Sequence, residues 1–150
     1  MPLPVIGTGS QMATIVVPRE YGYVILVGVG SAFMLVWKGI KVGQARKKFS
    51  IPYPTMYSPT NDHFNCYQRA HQNTLENYPQ FLMLLFVGGI QHPVLASAAG
   101  AVWCLGRIAY AKGYYTGDPK NRMKGSFGYF GLFTLLGLTV KLGLDTLGWV

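Results

Sequence analysis

The run from Phe64 to Pro79, FNCYQRAHQNTLENYP, sets three polar side chains of different chemistry on one stripe. Arg69, Asn73 and Glu76 stand at i, i+4 and i+7, the spacing of a single helix face. The run continues into the apolar FLMLLFVGGI, so these groups belong to a segment that reads as membrane-embedded. Ionisable groups there are expensive and by default mark a site. A guanidinium, an amide and a carboxylate in line suit a small zwitterionic ligand. A second stripe follows in GRIAYAKGYY, where Arg107, Tyr110 and Tyr114 fall at i, i+3 and i+7.

Four apolar runs must position these groups: about 21–40, 64–90, 93–115 and 125–147. Each reaches roughly the 20 residues that cross a bilayer core. Of the 150 residues, 50% are hydrophobic and only 12% charged, against about 25% in soluble domains. Mean hydropathy is +0.24. The sequence therefore predicts an all-α integral membrane protein, an up-down four-helix bundle, a topology that satisfies every short connection between runs. Residues 19–150 form that domain. Residues 1–18 read as a flexible extension, since Pro2, Pro4, Gly7 and Gly9 break regular structure, and Met12 offers a second possible start.

The net charge of +8 is unevenly distributed, so it reports topology rather than a nucleic-acid partner. Lys38, Lys41, Arg46, Lys47 and Lys48 surround the first loop. Lys112, Lys120, Arg122 and Lys124 surround the third. The positive-inside rule puts both loops in the cytosol and both termini on the other side. Cys66 and Cys104 lie inside apolar runs and read as buried free thiols. The three histidines have neither metal-ligand nor triad spacing, so neither a metal nor a haem is expected.

The second and third runs join through a very tight turn. With the pivot between Gln91 and His92, Glu76 levels with Arg107, Asn73 with Tyr110, and Arg69 with Tyr114. Glu76 and Arg107 are then expected to pair about 20 Å from the turn, at about 1.5 Å of rise per residue. One salt bridge could be structural alone. Two arginines, a glutamate, an asparagine and two tyrosines exceed what one bridge requires. A continuous polar path, as a transporter or channel needs, is missing, because both runs become wholly apolar near Gln91.

FNCYQRAHQNTLENYP resembles the helix-two motif of the MAPEG proteins, the membrane-associated proteins in eicosanoid and glutathione metabolism. RIAYAKGYYTGDPKNR resembles their helix-three segment. EYGYVILVG and ARKKFSIPYPTMYS are similar to the type-three microsomal glutathione S-transferase branch. Between Tyr114 and Arg122 the chain has one residue more than the leukotriene C synthase branch, a spacing similar to the type-three branch.

The resemblance implies a homotrimer in the endoplasmic reticulum or a related membrane, with glutathione as co-substrate bound at the cytosolic side between subunits. It implies glutathione contacts at Arg69, His71, Asn73 and Glu76, and at Arg107, Tyr110 and Tyr114. Arg46 matches a position that reaches a neighbouring site. Asn77 and Tyr78 both stand where some members have a contact tyrosine, and either could serve. Arg122 resembles the arginine that holds the glutathione thiolate, and Tyr114 could donate a supporting hydrogen bond to sulfur. The expected activity is a glutathione transferase and glutathione-dependent peroxidase. Its substrates would be lipophilic electrophiles or lipid hydroperoxides arriving from membrane lipid. A non-catalytic lipid-binding scaffold of the same fold and a glutathione-dependent eicosanoid synthase or isomerase are the alternatives.

Overall fold

The computed structural model describes residues 12–150; the expected flexible extension lies outside them as far as residue 11. Residues 12–18 carry no regular secondary structure. Four long helices follow: α1 (Tyr21–Phe49), α2 (Asp62–Gly88), α3 (Pro93–Tyr115) and α4 (Gly128–Leu147). A 3-10 helix, Pro119–Gly125, connects α3 to α4. The chain is all-helical, with no strand among the described residues.

Local chemistry accounts for the boundaries. The last turn of α1 carries Arg46, Lys47 and Lys48 against the negative end of the helix. Ser50 then takes a left-handed conformation and returns its N–H to the Arg46 carbonyl. Asn61 caps α2 by accepting the Phe64 N–H at 2.8 Å. Asn65, one turn in, clamps the preceding loop from both sides: it accepts from Ser58 N–H at 2.7 Å and donates to Ser58 O at 2.8 Å. Pro93 opens α3, where its missing N–H is harmless. Asp118 caps the 3-10 helix through Lys120 N–H.

Three of the four helices, α1, α3 and α4, are long and apolar enough to cross a membrane. Helix α2 falls short because its first half carries the polar stripe. Consecutive helices run antiparallel. The Tyr21 hydroxyl at the start of α1 donates to Phe86 O near the end of α2. Along α3 and α4, Gly106 meets Gly128 and Ala99 meets Gly131, so the numbers rise on one helix as they fall on the other.

The main core lies toward the α2–α3 turn. Phe81 and Trp103 stack with centroids 3.8 Å apart, surrounded by Val24, Leu85, Ala96 and Leu135. Close packing of this kind, rather than transfer from water, holds helices together in lipid. Helices α3 and α4 approach backbone to backbone at Gly106, where a Cβ would stand 2.5 Å from Gly128 Cα.

Candidate functional site

The α2 and α3 stripes do meet, but in a different register from the expected one. Arg107 does not pair with Glu76. Its Nη2 donates to Asn73 Oδ1 at 2.6 Å, and its Nη2 and Nε both donate to Thr74 Oγ1, at 2.8 and 3.1 Å. The reason lies in the turn. Gly88 ends α2 and Pro93 starts α3, so the pivot falls between Ile90 and Gln91, one residue earlier than expected. Moving a pivot by one residue moves the facing position by two, from Glu76 to Thr74.

Glu76 instead accepts from Arg69 Nη1 at 2.8 Å, two helical turns back on the same face of α2. Both side chains are nearly half exposed, at 40% and 48%. Arg107, in contrast, is buried. Its guanidinium lies 4.0 Å from the centroid of the Tyr110 ring, a cation–π geometry. Tyr110 packs edge-on against Tyr114 at 5.1 Å. Arg122 lies 5.8 Å from the Tyr114 ring centroid, its Nη1 donating to Pro119 O at 2.9 Å. Asn73, Arg107, Tyr110, Tyr114 and Arg122 thus form one continuous path from α2 to the 3-10 helix.

That path depends on close backbone contact. Gly113 on α3 faces the backbone of Asn121 and Arg122, and a Cβ there would run into the Asn121 carbonyl. Glycine lets the 3-10 helix lie flat on α3 and brings Arg122 within reach of Tyr114.

The remaining candidates are placed apart from this path. Asn77 donates to Asn73 O at 2.8 Å and stays beside the α2 stripe. Tyr78 turns toward α1, where its hydroxyl shares a 2.8 Å hydrogen bond with Ser31. His71 also faces α1, near Gly39, and its Nδ1 is buried without a hydrogen-bond partner among the described residues. Arg46 is buried in its own chain, 4.3 Å over the Tyr53 ring and 5.2 Å over Phe64. It lines an open cleft of about 660 Å³ with Lys47, Ile51 and Tyr53.

Sequence reasoning missed two residues. Lys38, which the charge pattern groups with the basic flank of the first loop, is fully buried on the inner face of α1. Its Nζ donates to Thr74 Oγ1 at 2.5 Å and to Ala70 O at 3.3 Å. Thr74, also fully buried, therefore joins α1, α2 and α3. A signal was present: Lys38 lies seven residues after Ser31, on the buried stripe that also carries Met34 and Val42.

The fold and site define an all-helical membrane protein with a polar cluster between α2, α3 and the 3-10 helix. Residues 24–144 match the MAPEG family, and the chain belongs to that family. It is 39% identical to an uncharacterised protein of Synechocystis over 105 residues, covering 69% of this chain and 72% of that protein. It is 34% identical to human microsomal glutathione S-transferase 2 over 115 residues, covering 74% of this chain and 76% of that one. The mouse protein of the same name is also 34% identical, over 105 residues and 69% of each chain. These mammalian relatives are type 2 proteins; the likeness to the type-three branch rests on the sequence motifs.

Proposed function

We propose that this protein is a membrane-bound glutathione transferase and glutathione-dependent lipid hydroperoxide reductase. The observation that carries the reading is the continuous path Asn73–Arg107–Tyr110–Tyr114–Arg122 beside the exposed Arg69–Glu76 pair. Glutathione has two carboxylates, an ammonium and a thiol, and these residues complement each. Arg69 meets one carboxylate with forked hydrogen bonds, and Arg107 offers its Nη1 to the other. Glu76 meets the ammonium. Asn73 and Asn77 bond peptide groups, and Tyr110 walls the site. His71 and Tyr78 belong to the surrounding shell.

The chemistry rests on the end of the path. A free thiol is mostly protonated near neutral pH, and the thiolate is the nucleophile. The Arg122 guanidinium favours the anion, and the Tyr114 hydroxyl donates to sulfur. In transfer, a carbon–sulfur bond forms as a leaving group departs or an epoxide opens. In reduction, the O–O bond breaks, two glutathiones are oxidised to the disulfide, and the hydroperoxide leaves as alcohol and water.

The active assembly is a homotrimer in the endoplasmic reticulum or a related membrane, with the first and third loops cytosolic. Two features support a second copy at the site. The Arg69–Glu76 pair is open at the side of the single chain, and the cleft lined by Arg46, Lys47 and Tyr53 is open as well, so that a neighbour's ligand could draw Arg46 off the Tyr53 ring. Residues 19–150 make up the unit, and the lipophilic substrate arrives laterally from lipid.

The test is turnover of the purified protein with glutathione plus a lipid hydroperoxide, beside a generic aryl halide. Oxidised glutathione from the first and a conjugate from the second are expected. Absence of both products in protein that binds glutathione would instead leave a lipid-binding scaffold or an isomerase.

A further inference from the structure

We infer that Lys38 is a positioning residue that acts through Thr74 to aim Arg107 at an anionic group of the ligand. The inference rests on the proposed glutathione function and adds a residue and a route to it.

The geometry is that of a hydroxyl filled to capacity. A threonine hydroxyl has one proton and two lone pairs. Thr74 spends its proton on Ala70 O at 3.1 Å. Its lone pairs are then directed at Lys38 Nζ on one side and at the Arg107 guanidinium on the other. Lys38 also donates to Ala70 O, so it grips both ends of the same hydroxyl bond. With Thr74 held this way, Arg107 has one orientation: Nε and Nη2 on Thr74, Nη2 on Asn73, and its face on Tyr110. Its Nη1 makes no hydrogen bond among the described residues and remains available to a ligand.

Stability gives no reason for a lysine here. A methionine of similar length would fill the space without desolvating an amine, and such replacements are often neutral or stabilising. Nor does a carboxylate account for either cation. The ion pairs among the described residues are Arg69–Glu76 and Lys141–Asp145. Two basic side chains therefore converge on one hydroxyl with no carboxylate of the described residues paired to them, which leaves the Arg107 guanidinium to meet an anionic group of the ligand.

The experiment uses the full chain in mild detergent with Lys38→Met, Thr74→Val and the double variant. Glutathione affinity is measured directly, together with KM and kcat for the transfer reaction. Each single variant is expected to raise both the dissociation constant and KM for glutathione by roughly tenfold, the scale of one lost buried hydrogen bond. Saturating kcat should stay within about twofold, because Arg122 is untouched. The double variant should be no worse than the weaker-binding single one, since both cut the same route. Thermal unfolding of Lys38→Met should match or exceed wild type.

Wild-type glutathione affinity in folded Lys38→Met would overturn the inference. So would additive losses in the double variant, which would mean two separate roles. If Lys38→Met does not fold, Lys38→Leu decides by the same affinity criterion, because Thr74→Val removes the direct partner of Arg107 as well. A wild-type protein that binds no glutathione would overturn the proposed function itself, and the role of Lys38 with it.

Discussion

Near the α2–α3 turn, side chains complete one another; near the first loop and the 3-10 helix, several are left open. In the first region Phe81 stacks on Trp103 and the neighbouring Leu85 and Leu135 are fully buried. The polar groups there, Tyr21 and Thr139, are spent on backbone carbonyls. In the second region Arg107 keeps a free nitrogen edge, and Arg69 and Glu76 stand nearly half exposed. Removing atoms from the first region should damage the fold, whereas removing them from the second should damage the chemistry.

The largest effect is expected from Phe81→Ala. Emptying a fully buried aromatic position costs about 3–5 kcal/mol, seen as a large drop in thermal stability in detergent. The folded fraction should bind glutathione normally. If stability holds and affinity falls, the division between a packing half and a binding half is wrong.

Arg122→Ala should leave stability and glutathione binding nearly intact while slowing turnover roughly 10²–10³-fold. Removing a cation disfavours the anion, so the bound thiolate's ultraviolet absorbance should titrate in at higher pH than in wild type. An unchanged titration and unchanged turnover would reduce Arg122 to a topogenic loop charge.

The smallest of the three is Glu76→Ala. Because Glu76 pairs with Arg69 rather than with buried Arg107, the Arg107 network survives its loss. Stability should change by no more than about 0.5 kcal/mol, as for an exposed pair. Glutathione should bind about tenfold more weakly, through loss of the ammonium partner. A stability loss of several kcal/mol by thermal unfolding would mean that Glu76 is tied to the buried cluster after all.

Much of the site is legible in residue order alone. The stripe Arg69–Asn73–Glu76 follows from helical periodicity, and the second stripe, Arg107–Tyr110–Tyr114, follows in the same way. Helical identity is legible too, because long apolar runs bounded by Pro, Gly and Asn leave the backbone no other way to satisfy its hydrogen bonds in lipid. The pairing across the stripes is not legible. It depends on where the α2–α3 turn pivots, and a one-residue shift of that pivot replaces Glu76 by Thr74 opposite Arg107.

Lys38 shows the same limit from the other side. Its type and its place near a basic loop fit a topogenic charge, and only the packing of α1 on α2 turns it inward onto Thr74. Residue type and a local period of 3.6 are enough to specify the helices and their polar faces, while the family is read from the resemblance of the two long motifs around Arg69–Glu76 and Arg107–Arg122. Which charges face each other, which partner Lys38 meets and how near Arg122 comes to Tyr114 are settled only when the helices pack. Those depend on interhelical register and on the backbone contact that Gly113 permits, and no local period encodes either.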